Sequence, residues 1–190
     1  MAAIVGISGK RGVGKSLLCN PYLKARDFQI YAFADPLKED VRRFYGLTRD
    51  HTDGKLKEEP CHKLGGRTPR EAMIAEGLLR RQFSENGMYW VYKLFEDKIK
   101  KVPENTLIAI SDVRFKNEAN YIHKQGGYLV RLDRKLELNV HKGLINDPSE
   151  NDLDDYNFDL RLTEAENITP QNLERFADRI LECIAKSRKV

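Results

Sequence analysis

The apolar residues of this chain fall into two alternating rhythms. Short unbroken runs read as buried strands, and runs spaced by three and four residues read as helices. Ile4-Val5-Gly6-Ile7-Ser8 is the first strand, and Lys15 to about Arg26 follows as a helix that Pro21 should kink or end early. Phe28 to Phe33 is the second strand. Pro36 to about Tyr45 is a helix, with Asp35 as its N-cap and Pro36 in its first turn. Residues 46–66 are polar and irregular. Thr68-Pro69-Arg70-Glu71 is a capping box: Thr68 caps, Pro69 takes the first helical position and Glu71 reaches back. The helix it opens should bury Ala72, Ile74, Ala75, Leu78 and Leu79. Tyr89 to Lys101 is a further amphipathic helix, and Thr106 to Ile110 is the third strand. Asn117 to Gln125 is a short helix stopped by Gly126-Gly127, followed by strands over Tyr128 to Leu132 and Phe158 to Leu162. Thr169-Pro170 opens the last helix, which should bury Leu173, Phe176, Ala177, Ile180, Leu181 and Ile184.

Strands that alternate with helices imply an α/β fold, a parallel sheet covered on both faces. Right-handed crossovers then bring the strand C-termini to one edge, where ligands bind. The segment 9–16, Asp35 and Asp112 to Arg114 each follow a strand, so they are expected to converge. A length of 190 residues suggests one domain.

Composition narrows the partners. The net charge of +4 suits a polyanionic small molecule and is too weak to argue for nucleic acid. Cys19, Cys61 and Cys183 share no metal-ligand spacing and suggest no disulfide framework, which points to a reduced, cytoplasmic protein. Lys10, Arg11 and Lys15 interrupt any signal-peptide core, and no run approaches the roughly 20 apolar residues of a membrane span. The four histidines have no partner spacing. The Tyr89–Lys101 helix could serve a homodimer, or its apolar face could be core.

Gly9-Lys10-Arg11-Gly12-Val13-Gly14-Lys15-Ser16 fits G-x-x-x-x-G-K-S/T between a strand and a helix start. In such a loop backbone N–H groups and the helix N-terminus cradle the phosphates of a nucleoside triphosphate. Lys15 reaches the β- and γ-phosphates, and Ser16 offers its hydroxyl to Mg²⁺. Asp112, at the end of the apolar strand Leu107-Ile108-Ala109-Ile110, sits where a carboxylate would hold the metal or its waters. Arg114, two residues on, could clamp developing phosphoryl charge. Arg67 and Arg70, with Arg80 and Arg81, form a basic cluster suited to a second phosphate. Arg131 and Arg134 resemble lid arginines that fold over a transferring group.

Phe33-Ala34-Asp35-Pro36-Leu37-Lys38, Arg67 through Gly77, Tyr89-Trp90-Val91, Ser111 through Glu118 and Phe158-Asp159 together resemble the phage-type deoxynucleoside monophosphate kinases. The resemblance runs in order over most of the chain, and the phosphomevalonate kinases are similar in outline. It implies a P-loop kinase fold, three-layer α/β/α with a five-stranded parallel sheet and the P-loop strand central. It implies a single kinase domain over residues 1–190, with an acceptor-binding region over about 35–100 and a lid over about 133–155. It implies transfer of the ATP γ-phosphoryl group to a deoxynucleoside monophosphate. Lys15, Asp112 and Arg114 are then the catalytic candidates, and Ser16 and Asp112 the metal ligands. Residues 9–16 with Arg131 and Arg134 bind ATP; Asp35, Lys38, Arg67, Arg70, Arg80 and Trp90 lie with the acceptor. The alternatives are a phosphomevalonate kinase-like enzyme and a regulatory P-loop ATPase.

Overall fold

The computed structural model describes residues 2–134, 148–164 and 168–187. In chain order it runs β1 (Ala3–Ser8), α1 (Lys15–Leu17), β2 (Phe28–Tyr31), α2 (Ala34–Tyr45), α3 (Arg49–Asp53), α4 (Pro69–Gln82) and α5 (Tyr89–Asp97). It continues with β3 (Leu107–Val113), α6 (Lys116–Lys124), β4 (Tyr128–Arg134), α7 (Pro148–Asn151), β5 (Leu160–Glu164) and α8 (Pro170–Ser187). Of the expected lid over 133–155, residues 135–147 lie outside the described residues. The chain divides into two compact units. One comprises Met1–Ala32 with Val102–Val190, and the other is the inserted Phe33–Lys101.

In the first unit the described strands form a five-stranded sheet in the order β2-β3-β1-β4-β5, with every neighbouring pair parallel. Side-chain alternation explains why both faces are covered. Val5 and Ile7 of β1, Ala109 of β3, and Val130 and Leu132 of β4 share a core with Leu18, Leu23, Phe176 and Ile180, so the segment after the first loop and α8 cover that face. Gly6 faces the other way. A Cβ there would lie 2.7 Å from atoms of both Ile122 and Leu129 and 2.9 Å from Val113, so α6 packs directly on the backbone of the central strand. Of the expected face of α8, Leu173, Phe176, Ala177, Ile180 and Ile184 are buried, while Leu181 is only partly buried against the same core. Because β1 pairs with β3 on one side and β4 on the other, the loop after β1 lies at the point where the strand order reverses.

Pro21 acts differently from expectation. The helix leaves α geometry after Leu17, as an early end would, but continues through the proline. It widens into a π-helical stretch over Leu18–Leu23 and tightens to 3₁₀ over Lys24–Arg26. A wider turn moves the preceding carbonyls away from the proline ring and needs no N–H at that position.

The second unit is helical and has its own core, in which Val41, Leu47, Cys61, Leu64, Ala72 and Met73 gather with Leu37 and Tyr45. The Thr68 box forms as expected: Thr68 Oγ1 accepts from Glu71 N at 3.2 Å, and Glu71 Oε2 accepts from Thr68 N at 2.8 Å. The buried face of α4 does not. It presents Ala72, Met73 and Gly77 inward, while Ile74, Leu78 and Leu79 are 54%, 63% and 47% exposed. Gly77 accounts for the rotation. Trp90 Nε1 donates to its carbonyl at 3.2 Å, and a Cβ on Gly77 would meet Leu37 at 3.3 Å. The small residues therefore mark the close contact, and the larger aliphatic ones are left outside. Asp35 is not an N-cap; Phe33 holds that position and Asp35 lies in the first turn of α2, where its negative charge meets the positive end of the helix dipole favourably. The apolar face of α5 is core: Trp90, Val91, Leu94 and Phe95 are buried. The polar 46–66 stretch contains α3 and short 3₁₀ turns at Lys55–Glu58 and His62–Leu64.

Among the described residues no helix is long and apolar enough to cross a membrane. Among the described residues Cys19, Cys61 and Cys183 form no disulfide. Replacing Gly6 with Ala should overpack the β1–α6 contact and lower the unfolding free energy by about 1–3 kcal/mol, read from urea denaturation with an unchanged m-value.

Candidate functional site

Two glycines shape the loop after β1. Gly9 has φ of 149°, and a Cβ on it would lie 2.5 Å from the Leu132 carbonyl oxygen. Gly14 caps α1 in the left-handed region at φ 104°, a conformation that costs other L-residues about 1–2 kcal/mol. The turn they permit brings the Lys15 side chain back over its own loop. Its Nζ donates to the carbonyls of Gly9 at 2.6 Å and Lys10 at 2.9 Å.

Burial, then the nearby Arg114 charge, lowers the pKa of Lys15 from 10.5 to about 8; Glu150 and Asp112 push it back up, and Arg131 lowers it. One ammonium thus sits in the combined field of the Asp112–Arg114 segment, β4 and α7. The burial that depresses Lys15 raises the neighbouring Cys19 thiol to about 12, so Cys19 is an inert core group.

The path of Asp112 differs from expectation. It lies inside β3 rather than beyond its end, because β3 runs to Val113. The pairing moves from Gly6↔Ile110 to Ser8↔Val113, so β3 carries one extra residue between them. This bulge falls at Ser111-Asp112 and re-aims their side chains. Ser111 Oγ donates to the Tyr31 carbonyl at 3.1 Å. Ser16 is exposed at the start of α1. Its hydroxyl and the Asp112 carboxylate are hard oxygen donors of the kind Mg²⁺ takes, and the residues present fit that ion.

The segment after residue 147 contributes groups that the sequence pattern concealed. Glu150 is 8% exposed. Its Oε2 accepts from Arg11 N at 2.7 Å, and its Oε1 accepts from the Arg114 guanidinium. Lys10 Nζ donates to the Glu150 carbonyl at 2.5 Å, to Asn151 Oδ1 at 3.1 Å and to Asp154 Oδ2 at 2.6 Å. The Arg114 backbone is fixed separately, by donation of its N–H to the buried Glu118 carboxylate at 2.9 Å.

Of the two expected lid arginines, Arg131 is a strand residue. Its side chain is 6% exposed and its donors are committed to Asp133 at 3.0 Å, Ser8 Oγ at 3.2 Å and Asp154 at 3.1 Å. Its side chain is thus held against the sheet by β1 and Asp154. Arg134 ends β4 and donates to the Gly12 carbonyl at 3.0 Å. Its buried Nε has no hydrogen-bond partner among the described residues, an orphan donor beside the loop that an anion would satisfy.

The second unit gathers several of the remaining candidates. Lys38 pairs with Asp53 at 2.6 Å, and Arg42 reaches the same carboxylate at 3.3 Å. These partners hold the Asp53 carboxyl below the usual range, although its own burial acts the other way and is the largest single influence. Arg70 Nε donates to Glu58 at 2.5 Å. Lys57, which the sequence reading passed over, lies in the field of Arg70 and Lys38. Its pKa is lowered first by burial and then by those two charges. Arg67 is exposed and donates to the Leu64 carbonyl at 3.3 Å. Arg80 lies over the Tyr89 ring at 5.6 Å. Trp90 belongs to the core: the residue is 3% exposed and its indole N–H is donated to the Gly77 carbonyl.

No protein-family model matches the chain. The resemblance stated above is matched by a curated relative from Acanthamoeba polyphaga mimivirus, named "Putative deoxynucleotide monophosphate kinase". It is 29% identical over 197 residues, covering 95% of each chain. Among solved structures, TT1252 from Thermus thermophilus aligns with a TM-score of 0.55 at 18% identity, over 95% of this chain and 97% of that one. Shikimate kinase from Bacteroides thetaiotaomicron aligns at 0.43 with 13% identity, over 96% and 98%. The Thermus thermophilus alignment supports the α/β fold with its five-stranded parallel sheet.

The field at Lys15 has a measurable signature. Its folded pKa of about 8 lies below the unfolded 10.5, so between those values the unfolded chain binds more protons and stability rises with pH. The unfolding free energy of the ligand-free protein, relative to Lys15→Met, should increase from pH 8 to pH 10.5 in parallel urea titrations. A flat difference would mean that the ammonium is not desolvated.

Proposed function

We propose that this chain is an ATP-dependent deoxynucleoside monophosphate kinase, a cytoplasmic transferase that carries the γ-phosphoryl group of ATP to a deoxynucleoside monophosphate and releases the diphosphate. The observation that carries the reading is the Lys15 ammonium. It is folded onto its own loop carbonyls and surrounded by Asp112, Arg114 and Glu150. Such a group is already at the loop and can exchange two carbonyls for phosphate oxygens with little reorganisation. The mimivirus relative supports a nucleotide as the acceptor.

Each residue then has a role in proportion to its chemistry. Within residues 9–16 the Arg11 N–H is taken by Glu150 and the Val13 N–H by the Lys10 carbonyl, so the other backbone N–H groups of the loop and the orphan Arg134 Nε meet the triphosphate. Lys15 and Arg114 balance charge on the phosphoryl group in flight. Ser16 and Asp112 would hold Mg²⁺, which supplies neutralisation of the phosphate oxygens when bound. The attacking oxygen belongs to the acceptor phosphate, whose second pKa near 6 leaves it largely dianionic at pH 7. Positioning therefore replaces general-base catalysis, and no histidine is required.

In the inserted unit, Lys38, Lys57 and Arg70 are the groups we assign to the acceptor phosphate, with Asp35, Arg67 and Arg80 beside them. Lys38 and Arg70 are now paired with Asp53 and Glu58, so the acceptor would trade places with those carboxylates. This assignment follows the charge pattern of that unit together with the acceptor region expected over about 35–100. The lid role of 133–155 remains part of the same proposal.

The test is turnover with ATP, Mg²⁺ and a panel of deoxynucleoside monophosphates, with diphosphate formation read by chromatography. ATP loss without an acceptor product would favour the ATPase alternative, and product from phosphomevalonate alone would favour that enzyme. Lys15→Ala should lower kcat about 10²–10³-fold. Arg70→Ala should raise KM for the monophosphate roughly tenfold, as expected for loss of one charge-assisted contact, and leave KM for ATP unchanged. An effect confined to ATP would move Arg70 to the donor side.

A further inference from the structure

Glu150 joins two parts of the first unit that are far apart in sequence. One carboxylate oxygen takes the Arg11 N–H of the phosphate loop, and the other takes the Arg114 guanidinium. Arg114 Nη1 also donates to the Ser149 carbonyl at 3.3 Å. The Glu150 side chain is 7% exposed and the Arg114 side chain 28%. The carboxylate is therefore buried while the guanidinium keeps an open side. The short helix that carries it is strapped down by Lys10 on Glu150, Asn151 and Asp154, and by the Lys116 N–H on Asp152 at 2.6 Å.

We infer that Glu150 is the positioning residue for Arg114: its carboxylate bridges the phosphate loop and the guanidinium, so that Arg114 stands beside the phosphoryl group before transfer begins. This rests on the kinase reading above. An arginine on a solvated strand end has many rotamers, and ordering it at the moment of reaction costs entropy. The bridge removes that cost in advance, because Glu118 fixes the Arg114 backbone and Glu150 fixes the tip. Loss of the charge leaves Arg114 attached but loose, and displacements of about 1 Å near reacting atoms can cost on the order of 100-fold in rate. Glu150 touches no reacting atom in this account and acts only through Arg114.

The experiment is a double-mutant cycle in steady-state kinetics: wild type, Glu150→Gln, Arg114→Ala and the double variant, each with a melting curve. Glu150→Gln should lower kcat roughly 10- to 100-fold, with both KM values within about threefold, and should cost less than about twofold further in the Arg114→Ala background. Lys116→Met cuts the exposed pair with Asp155 on the same strap and should leave kcat within about twofold, which a generally fragile strap would not. If Glu150→Gln fails to fold, Glu150→Asp keeps the charge, loses the reach, and should still lower kcat at least roughly tenfold. Unchanged kcat in Glu150→Gln, a loss confined to KM for ATP, or an equal further loss without Arg114 would each overturn the inference. A wild type that forms no diphosphate from any acceptor would instead overturn the kinase reading itself.

Discussion

A lysine ammonium withdrawn from water and laid on the carbonyls of its own loop is the constraint around which the first unit is arranged. Such a charge is costly unless acceptors and counter-charges surround it. Gly9 and Gly14 supply the turn that lets Lys15 reach back. Asp112 and Glu150 offset the cost, while Arg114 and Arg131 add to it. The depressed pKa shows that the balance remains unfavourable to the proton, and a polyanion is the group that would reverse it.

The second unit handles charge differently. Its cations are paired with carboxylates, Lys38 and Arg42 with Asp53 and Arg70 with Glu58, and Lys57 lies in the field of Arg70 and Lys38. Exposed pairs of this kind contribute little to stability, so exchanging a carboxylate for a phosphate costs the fold little. The contrast is between a loop built around one desolvated charge and a surface whose charges remain easily re-partnered.

Much of this was legible in the chain. The glycine-rich loop after β1, the alternation of strands and helices, the Thr68 capping box and most of the buried face of α8 all follow from local pattern. The failures have a common physical cause, which is contact with something distant in sequence. The apolar residues of α4 support more than one inward face. The choice was made by Gly77, which admits Leu37 and receives the Trp90 N–H; hence Ile74 and Leu78 lie outside, and Trp90 is core. Pro21 was read as a break because local rules omit the wider turn that the core around Leu18 and Leu23 stabilises. Arg131 looked mobile because it precedes a polar stretch, yet its acceptors come from β1 and from Asp154. Glu150 gave no signal amid the acidic residues around it, since the groups that distinguish it lie 36 and 139 positions away.

The extra residue in β3 has a wider meaning. A strand normally assigns its side chains to alternate faces by counting, and here the count is broken once, at Ser111-Asp112. The carboxylate beside the loop is thus specified by an odd number of residues as much as by being aspartate. Chains related to this one that lost that residue would keep every letter of the surrounding string and still send the acid to the wrong face of the sheet.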